Sequence, residues 1–568
     1  MKKRKGRGSQ KNPVGTNQSA MPTKKTEAAT NNSLNPPVIP QHVKVAKKIH
    51  ELGYIYALYG LLDAEVVAYG SIRYFFDVLF VNQSSGKLIH DWLQTPSGLA
   101  IALVESIAFA SFSMIANTSD NKATGAFKQA AASFWPYCRN AVRELKKTSR
   151  GVGNTLKIAT FFKEVSLDSM VMPLGLTFGA ASVLNRVWFQ RMDNRRREMK
   201  EGLKTLYEEI SELKFDSSMR SKLQQDRINL QGYYEKIQYQ SQTEQKFAYL
   251  SAAYTGLMEG LAFYVGILTF ISFTSPAFIP MATCCIAFAI ISIATRIYEE
   301  YEYQRKFTVD SLIIKLRLKQ KDIEALNALT AGQIVGDSNE QYERIFKEII
   351  EISNALDAKA VSTLNKVLKS MKEGLKIYAF INKMIFGATV FLTTLPAYLI
   401  IGSVVTGVLI LLGMTLKAII KQHCLLKKEA NGQLLFTDEG QLAASQLVEK
   451  LIQTHTAVST TKPSSFRAWF EVTWNFFSGL DKGRKSMGYL LMLTFAELSL
   501  HENYQDSPLM IKLSVGLGIL SSLIFSLRVY AFNFGANLQK EPIQLNKHSN
   551  EYQFEEIPTG NVPPQIIV

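Results

Sequence analysis

Nine runs of apolar residues, most close to twenty long, are strung along this chain and separated by strongly charged stretches. They cover approximately 52–81, 97–116, 165–189, 247–272, 276–298, 377–395, 397–420, 486–500 and 509–534. A helix needs about 20 apolar residues to cross the hydrocarbon core of a bilayer. In lipid every backbone N–H and C=O must be paired within the element. That leaves helices and closed barrels, and no alternating strand pattern is present. The sequence therefore predicts an all-α fold: a polytopic helical membrane protein with about eight to ten transmembrane helices arranged as hairpins. Of 568 residues, 47% are hydrophobic and only 20% charged, and the two kinds fall in separate blocks. A soluble globule would mix them.

Charge sets the expected topology. Basic residues follow several apolar runs, as at Arg191, Arg195 to Arg197, Arg305, Lys306, Lys421, Lys427 and Lys428. Others precede them, as at Lys44, Lys47, Lys48, Lys369, Lys372, Lys482, Arg484 and Lys485. Short links between paired runs carry almost none. By the positive-inside rule both termini and three long loops belong on the cytosolic side. The expected organisation is a basic disordered arm at 1–43, first transmembrane hairpins at 44–189 and a cytosolic helical loop at 190–246. A hairpin at 247–298, a second cytosolic helical loop at 299–375 and a hairpin at 376–420 follow. A cytosolic loop at 421–485, a last hairpin at 486–535 and a disordered tail at 536–568 complete the chain.

This assignment has a parity problem. The runs ending near Ala116 and Phe189 should both finish in the cytosol, yet one clear apolar run lies between. Either 154–171 crosses despite Lys157, Lys163, Glu164 and Asp168, or the region 170–189 is re-entrant. A crossing lined with charges would face the bundle interior.

Five Xaa-Pro pairs open apolar limbs: Thr95-Pro96, Met172-Pro173, Ser275-Pro276, Leu395-Pro396 and Ser507-Pro508. Proline suits the first helical turn, where its missing N–H has no intrahelical role. Three of these pairs sit in short links, so they read as tight helical hairpins in a degenerate repeat. In the loop 299–375, Ile345, Ile349, Ile352 and Leu356 make an amphipathic stripe, so the loop helices should pack on one another.

Four glutamates lie in the apolar runs: Glu65, Glu105, Glu259 and Glu497. A carboxylate at mid-bilayer costs roughly 2.5–3.5 kcal/mol on insertion scales. Four such residues in separate runs point to a polar site inside a bundle. Glu65 and Tyr69 share a helix face, and Arg73 and Asp77 are spaced to pair. Asp63 lies about 200° around the helix from Glu65, so one site cannot take both. Clustered hard oxygens suit Fe²⁺, Mn²⁺, Mg²⁺ or Ca²⁺, and acid chains also relay protons. His90-Asp91 and His501-Glu502 fall at links opposite the cytosolic side, where imidazole beside carboxylate suits capture of a borderline metal. The expected metal ligands are therefore Glu65, Glu105, Glu259, Glu497, His90, Asp91, His501 and Glu502.

Other classes are excluded or disfavoured. There is no P-loop, no GxGxxG opening a helix, no HExxH, no GxSxG and no paired CxxC, so neither a soluble enzyme nor a nucleotide-driven pump is expected. Four cysteines rule out a disulfide scaffold. The net charge of +16 lies where membrane topology requires it, so no nucleic-acid partner is expected. The start of the chain is basic but lacks an apolar h-region, so no cleavable signal peptide is expected.

The tail reads SNEYQFEEIPTGNVPPQIIV, with Glu551, Glu555 and Glu556. This acidic block, the basic disordered start and the polytopic middle together resemble Dot/Icm type IV secreted effectors of intracellular bacteria. Among these the architecture is similar to the MavN-type vacuolar iron transporters. That resemblance implies a secreted effector in a host vacuolar membrane moving Fe²⁺, with host or secretion-system proteins as partners. Without secretion, a bacterial inner membrane is the expected location. The residues themselves leave three readings open: a divalent-metal transporter (Fe²⁺ or Mn²⁺) without a permanent cofactor, a non-transporting scaffold recruiting partners through its cytosolic helices, and a proton-coupled solute carrier.

Overall fold

The computed structural model describes residues 40–80, 85–118, 126–163, 167–213, 220–237, 239–271, 275–330, 337–358, 363–387, 397–432, 465–494 and 508–535. Among these, every regular element is helical. In chain order they are α1 (Gln41–Leu52), α2 (Tyr54–Leu79), α3 (Ser85–Leu93), α4 (Pro96–Thr118), α5 (Ala126–Lys163), α6 (Asp168–Glu212), α7 (Arg220–Glu235) and α8 (Gln242–Glu259). Then come α9 (Phe278–Thr330), α10 (Asp337–Ala358), α11 (Thr363–Gly387), α12 (Ala397–Gly432), α13 (Ser465–Thr494) and α14 (Pro508–Tyr530). Helix α8 runs on through a π turn, Gly260–Val265, and α14 ends in another, Ala531–Gly535.

Helices α2, α4, α6, α9, α12 and α14 are long and apolar enough to cross a bilayer, as a polytopic membrane protein requires. Their outer faces fit lipid: Val104 and Ile107 of α4 are 69% and 65% exposed, and Leu409, Leu412 and Leu416 of α12 are also exposed. Helices α6 and α9 are 45 and 53 residues long. At 1.5 Å per residue they measure roughly 68 and 80 Å, more than twice a hydrocarbon core of about 30 Å.

Local sequence explains several boundaries. Pro96 and Pro508 are first residues of α4 and α14. Pro173 instead lies inside α6, in its second turn. Ser241 and Glu244 form a capping box on α8, the serine side chain accepting from Glu244 N at 3.2 Å and the glutamate accepting from Ser241 N at 3.3 Å. Gly53, with φ 71°, ends α1 in the left-handed region and lets α2 start in a new direction. Within 154–171, one of the two alternatives for the parity problem, the described part of α5 runs to Lys163, residues 164–166 lie outside the described residues, and Leu167, with φ −101° and ψ 15°, caps α6.

Close backbone approach sets the packing. Gly256 and Gly260 of α8 face Ile293 and Ala289 of α9, where an added Cβ would lie 2.8 and 2.9 Å from the opposing Cα atoms. Gly479 of α13 likewise faces the Ser522 Cα of α14, and Gly483 faces the Ser521 side chain. Both are GxxxG spacings, which let helices meet without lipid between them. Helix α4 returns antiparallel along α2, with Gly60 opposite Ser113 and Ser71 opposite Glu105. Helix α5 lies behind them against α2, α4 and α6. One apolar core joins α9, α11 and α12 around Phe288, Tyr378 and Val404, and a second seats the α10 stripe of Ile345, Ile349 and Leu356 on Ile313, Leu316 and Ile323 of α9. Helix α1 touches the last π turn, where Tyr530 Oη donates to His42 O at 2.5 Å, so both ends of the described chain lie together.

Candidate ion site

Helix α2 carries two acids in opposite surroundings, as its periodicity requires. Asp63, fully buried, turns toward α5, where Arg143 Nη2 donates to Oδ1 at 2.5 Å and Arg139 Nη1 to Oδ2 at 3.5 Å. Glu65, 2% exposed, turns toward α4. There it lies within electrostatic reach of the Ser106 hydroxyl and of Glu105. Its Oε2 atom is buried without a hydrogen-bond partner. Such an atom forfeits its hydration with nothing in return, so it marks a place where a proton or cation would be held.

Glu105 sits one turn along and is bound by Ser71 Oγ of α2. Ser71 lies within 2.9 Å of Ala68 O as well. The hydroxyls of Ser106 and Tyr489 lie 3.4 Å apart, and Tyr489 Oη reaches Ala102 O at the same distance. The Tyr69 ring packs on Tyr489 with centroids 5.7 Å apart, Arg73 Nη1 reaches Tyr69 Oη at 3.5 Å, and Lys146 lies over the Tyr69 ring. Arg73 also pairs with Asp77 at 3.5 Å, as their spacing predicts. The outcome is two carboxylates, two serine hydroxyls and a tyrosine converging from α2, α4 and α13, with cations at one end.

Glu259 sits elsewhere, at the end of α8 before the π turn. Arg296 grips it with two bonds, Nε to Oε2 at 2.8 Å and Nη2 to Oε1 at 2.9 Å, and Lys147 Nζ adds a third at 3.3 Å. The pairing continues outward. Lys147 also binds Glu144 at 2.9 Å, Arg296 binds Glu299 at 2.8 Å, and Lys372 binds Glu299 at 2.8 Å. Six charges alternate in sign across α5, α8, α9 and α11 and cancel. Both oxygens of Glu259 are thus engaged by cations.

His90 and Asp91 are neighbours on α3, His90 half-buried and Asp91 exposed, with Nδ1 and Oδ1 3.5 Å apart. Glu497, His501 and Glu502 lie outside the described residues, as do Glu551, Glu555 and Glu556. Among the described residues no group of three or more His, Cys, Asp or Glu is placed to hold a metal ion. Glu65 and Glu105 lie within electrostatic reach of each other, whereas Glu259 is paired with Arg296 and Lys147.

Sequence reasoning overlooked the cations of α5. Arg139, Arg143, Lys147 and Arg150 recur every three or four residues and form one basic stripe, a readable pattern that supplies partners to Asp63 and Glu259. No protein-family model, curated protein or solved structure matches the chain.

Proposed function

We propose that this protein is a multi-pass membrane transporter of a small divalent cation, Fe²⁺ or Mn²⁺, and that Glu65 and Glu105 are the groups that hold the ion in transit. One observation carries the reading: two carboxylates from adjacent apolar helices lie within electrostatic reach of each other, and one has a buried oxygen without a hydrogen-bond partner. A single divalent cation neutralises two carboxylates, and the Ser71 and Ser106 hydroxyls add neutral oxygens. Carboxylate and hydroxyl donors suit hard or borderline ions over Cu⁺ or other soft ions. Glu259 serves a different purpose in this account. Its alternating network locks α5 and α8 to α9, while the transport pair lies between α2 and α4. The spanning helices are arranged as hairpins with their long connections on the cytosolic side, where the basic residues lie.

Purified protein in vesicles loaded with a metal-sensitive dye tests this. Added Mn²⁺ or Fe²⁺ should enter, and Glu65→Gln and Glu105→Gln should each reduce entry at least tenfold while leaving the protein folded. Equal entry through wild type and both variants would overturn the reading. Residence in a host vacuolar membrane belongs to the same proposal. It rests on the resemblance of the acidic tail and is tested by whether deleting 551–556 abolishes translocation of a reporter fusion.

A further inference from the structure

Helix α1 is short, basic and set apart from the apolar helix that follows it. Gly53, with φ 71°, turns the chain between them, so α1 does not extend α2. Two helices long enough to span fix its level. Helix α2 begins at Tyr54, directly after the turn. Tyr530 lies twenty-two residues after Pro508, so about 33 Å along α14, at the far edge of a hydrocarbon core entered at that proline. There α1 is fastened. Tyr530 Oη donates to His42 O at 2.5 Å, and His50 Nδ1 lies 2.6 Å from Tyr56 Oη. Ala46 is fully buried against the last π turn, where a Cβ on Gly535 would lie 2.7 Å from Ala46 O.

Aromatic rings mark the same level. Trp469 of α13 packs on Tyr530 and Phe534 with centroids 5.9 and 5.3 Å apart, and Phe534 meets the His42 ring at 5.8 Å. Trp469 and Tyr54 are 46% and 74% exposed. Exposed Trp and Tyr at the ends of spanning helices belong at the membrane–water interface. The outward side of α1 divides into two strips. Val45 and Leu52, seven residues apart, fall within about 20° of one line along the helix. They are 52% and 57% exposed. Lys48 and Lys44 lie on the neighbouring strip, about 40° and 80° round from Leu52, and both are exposed. Lys47 pairs with Glu51 at 3.8 Å. An exposed apolar edge bordered by lysines, held at bilayer-surface level, is the pattern of an interfacial helix.

We propose that α1 docks on the anionic surface of the bilayer, with Val45 and Leu52 entering the boundary between headgroups and acyl chains and Lys44 and Lys48 meeting acidic headgroups. Continuity and charge choose this occupant. The face adjoins the start of α2, whose Leu58 and Leu61 are exposed as lipid-facing residues are, and lysines complement the negative potential of an acidic leaflet. Docking ties the start of α2, the helix that carries Glu65, to the lipid composition of that leaflet. The proposal requires the protein to sit in a membrane and is independent of the ion it moves.

The full-length protein is placed in nanodiscs of phosphatidylcholine alone and of an equal mixture with phosphatidylglycerol. Hydrogen exchange of the amides of 42–52 is the readout, because it reports local opening of α1. The α10 core around Ile349 is the internal control. Exchange of 42–52 should slow at least about fivefold in the anionic discs, and the difference should shrink in high salt. Lys44→Gln/Lys48→Gln should abolish the difference without changing the control, and Val45→Ser/Leu52→Ser should speed exchange in both discs. Equal exchange of the wild type in the two discs overturns the proposal whatever the variants do. A lipid effect that survives in the lysine double variant but is lost on deleting 1–39 assigns the docking to that basic arm and overturns it as well.

Discussion

Replacing Arg296 with Met removes the central cation of the alternating network. The guanidinium makes two bonds to Glu259 and one to Glu299, at 2.8–2.9 Å. Breaking one side of a buried ion pair costs about 3–5 kcal/mol when the partner is left with nothing. Here neither partner is. Glu259 keeps Lys147 at 3.3 Å and Glu299 keeps Lys372 at 2.8 Å. The expected loss is therefore lower, about 2–3 kcal/mol. Glu259→Gln should cost about the same, because it strands Arg296 and Lys147 partially. The double variant Glu259→Gln/Arg296→Met removes both members and should cost no more than either single change, giving a coupling of about 2 kcal/mol. Reversible unfolding by SDS in mixed micelles measures all four corners of the cycle. A coupling below about 0.5 kcal/mol would refute the network as a structural lock, since additive effects mean independent sites.

Other consequences follow from packing and burial. Gly483→Leu should destabilise by about 2–3 kcal/mol or misfold the protein, because even a Cβ would lie 2.3 Å from Ser521 Cβ. Gly488→Ala, with open space around it, should be neutral in the same thermal assay. Ile349→Ala, fully buried in the α10–α9 core, should cost about 2–5 kcal/mol. On α9, twelve residues beyond the apolar run, burial raises the Asp310 carboxyl to about 6, partly countered by Lys200 and Lys306. The same burial lowers Lys200 to about 8. A raised carboxyl contributes stability in acid and loses it as pH climbs to 6. A lowered amine regains its contribution only as pH climbs above 8. Stability of this region is therefore lowest between pH 6 and 8, and Asp310→Asn should remove the acidic limb, worth at most about 3 kcal/mol, in melting scans across pH.

The helical class was legible because apolar run length is a direct physical signal: a run such as 397–420 must span something about 30 Å thick. The α10 stripe was legible for the same kind of reason, since Ile345 and Ile349 recur on one face and find a core. Partnering was harder to read. Glu65 and Glu259 looked alike from hydropathy alone, each an acid in an apolar run. What separates them is which helix lies opposite, and that depends on α5, whose polar sequence hid its packing against α2 and α4. The opposite faces of Asp63 and Glu65 followed from helix geometry and hold in the structure. Helix lengths were also concealed: the apolar runs at 165–189 and 276–298 end in sequence, but α6 and α9 continue through Glu212 and Thr330. Charged residues there favour helix as strongly as apolar ones do, so hydropathy marks no boundary.

The central claim is that Glu65 and Glu105 hold a divalent cation in transit while Glu259 holds helices together. Metal entry into dye-loaded vesicles tests both halves together, using wild type, Glu65→Gln, Glu105→Gln and the charge-balanced Glu259→Gln/Arg296→Met. The account predicts entry through wild type and the double variant, and background rates for the two single glutamine variants. Entry through Glu65→Gln at the wild-type rate, with the Glu259 double variant silent though folded, would contradict it and move the ion's path to α8 and α9.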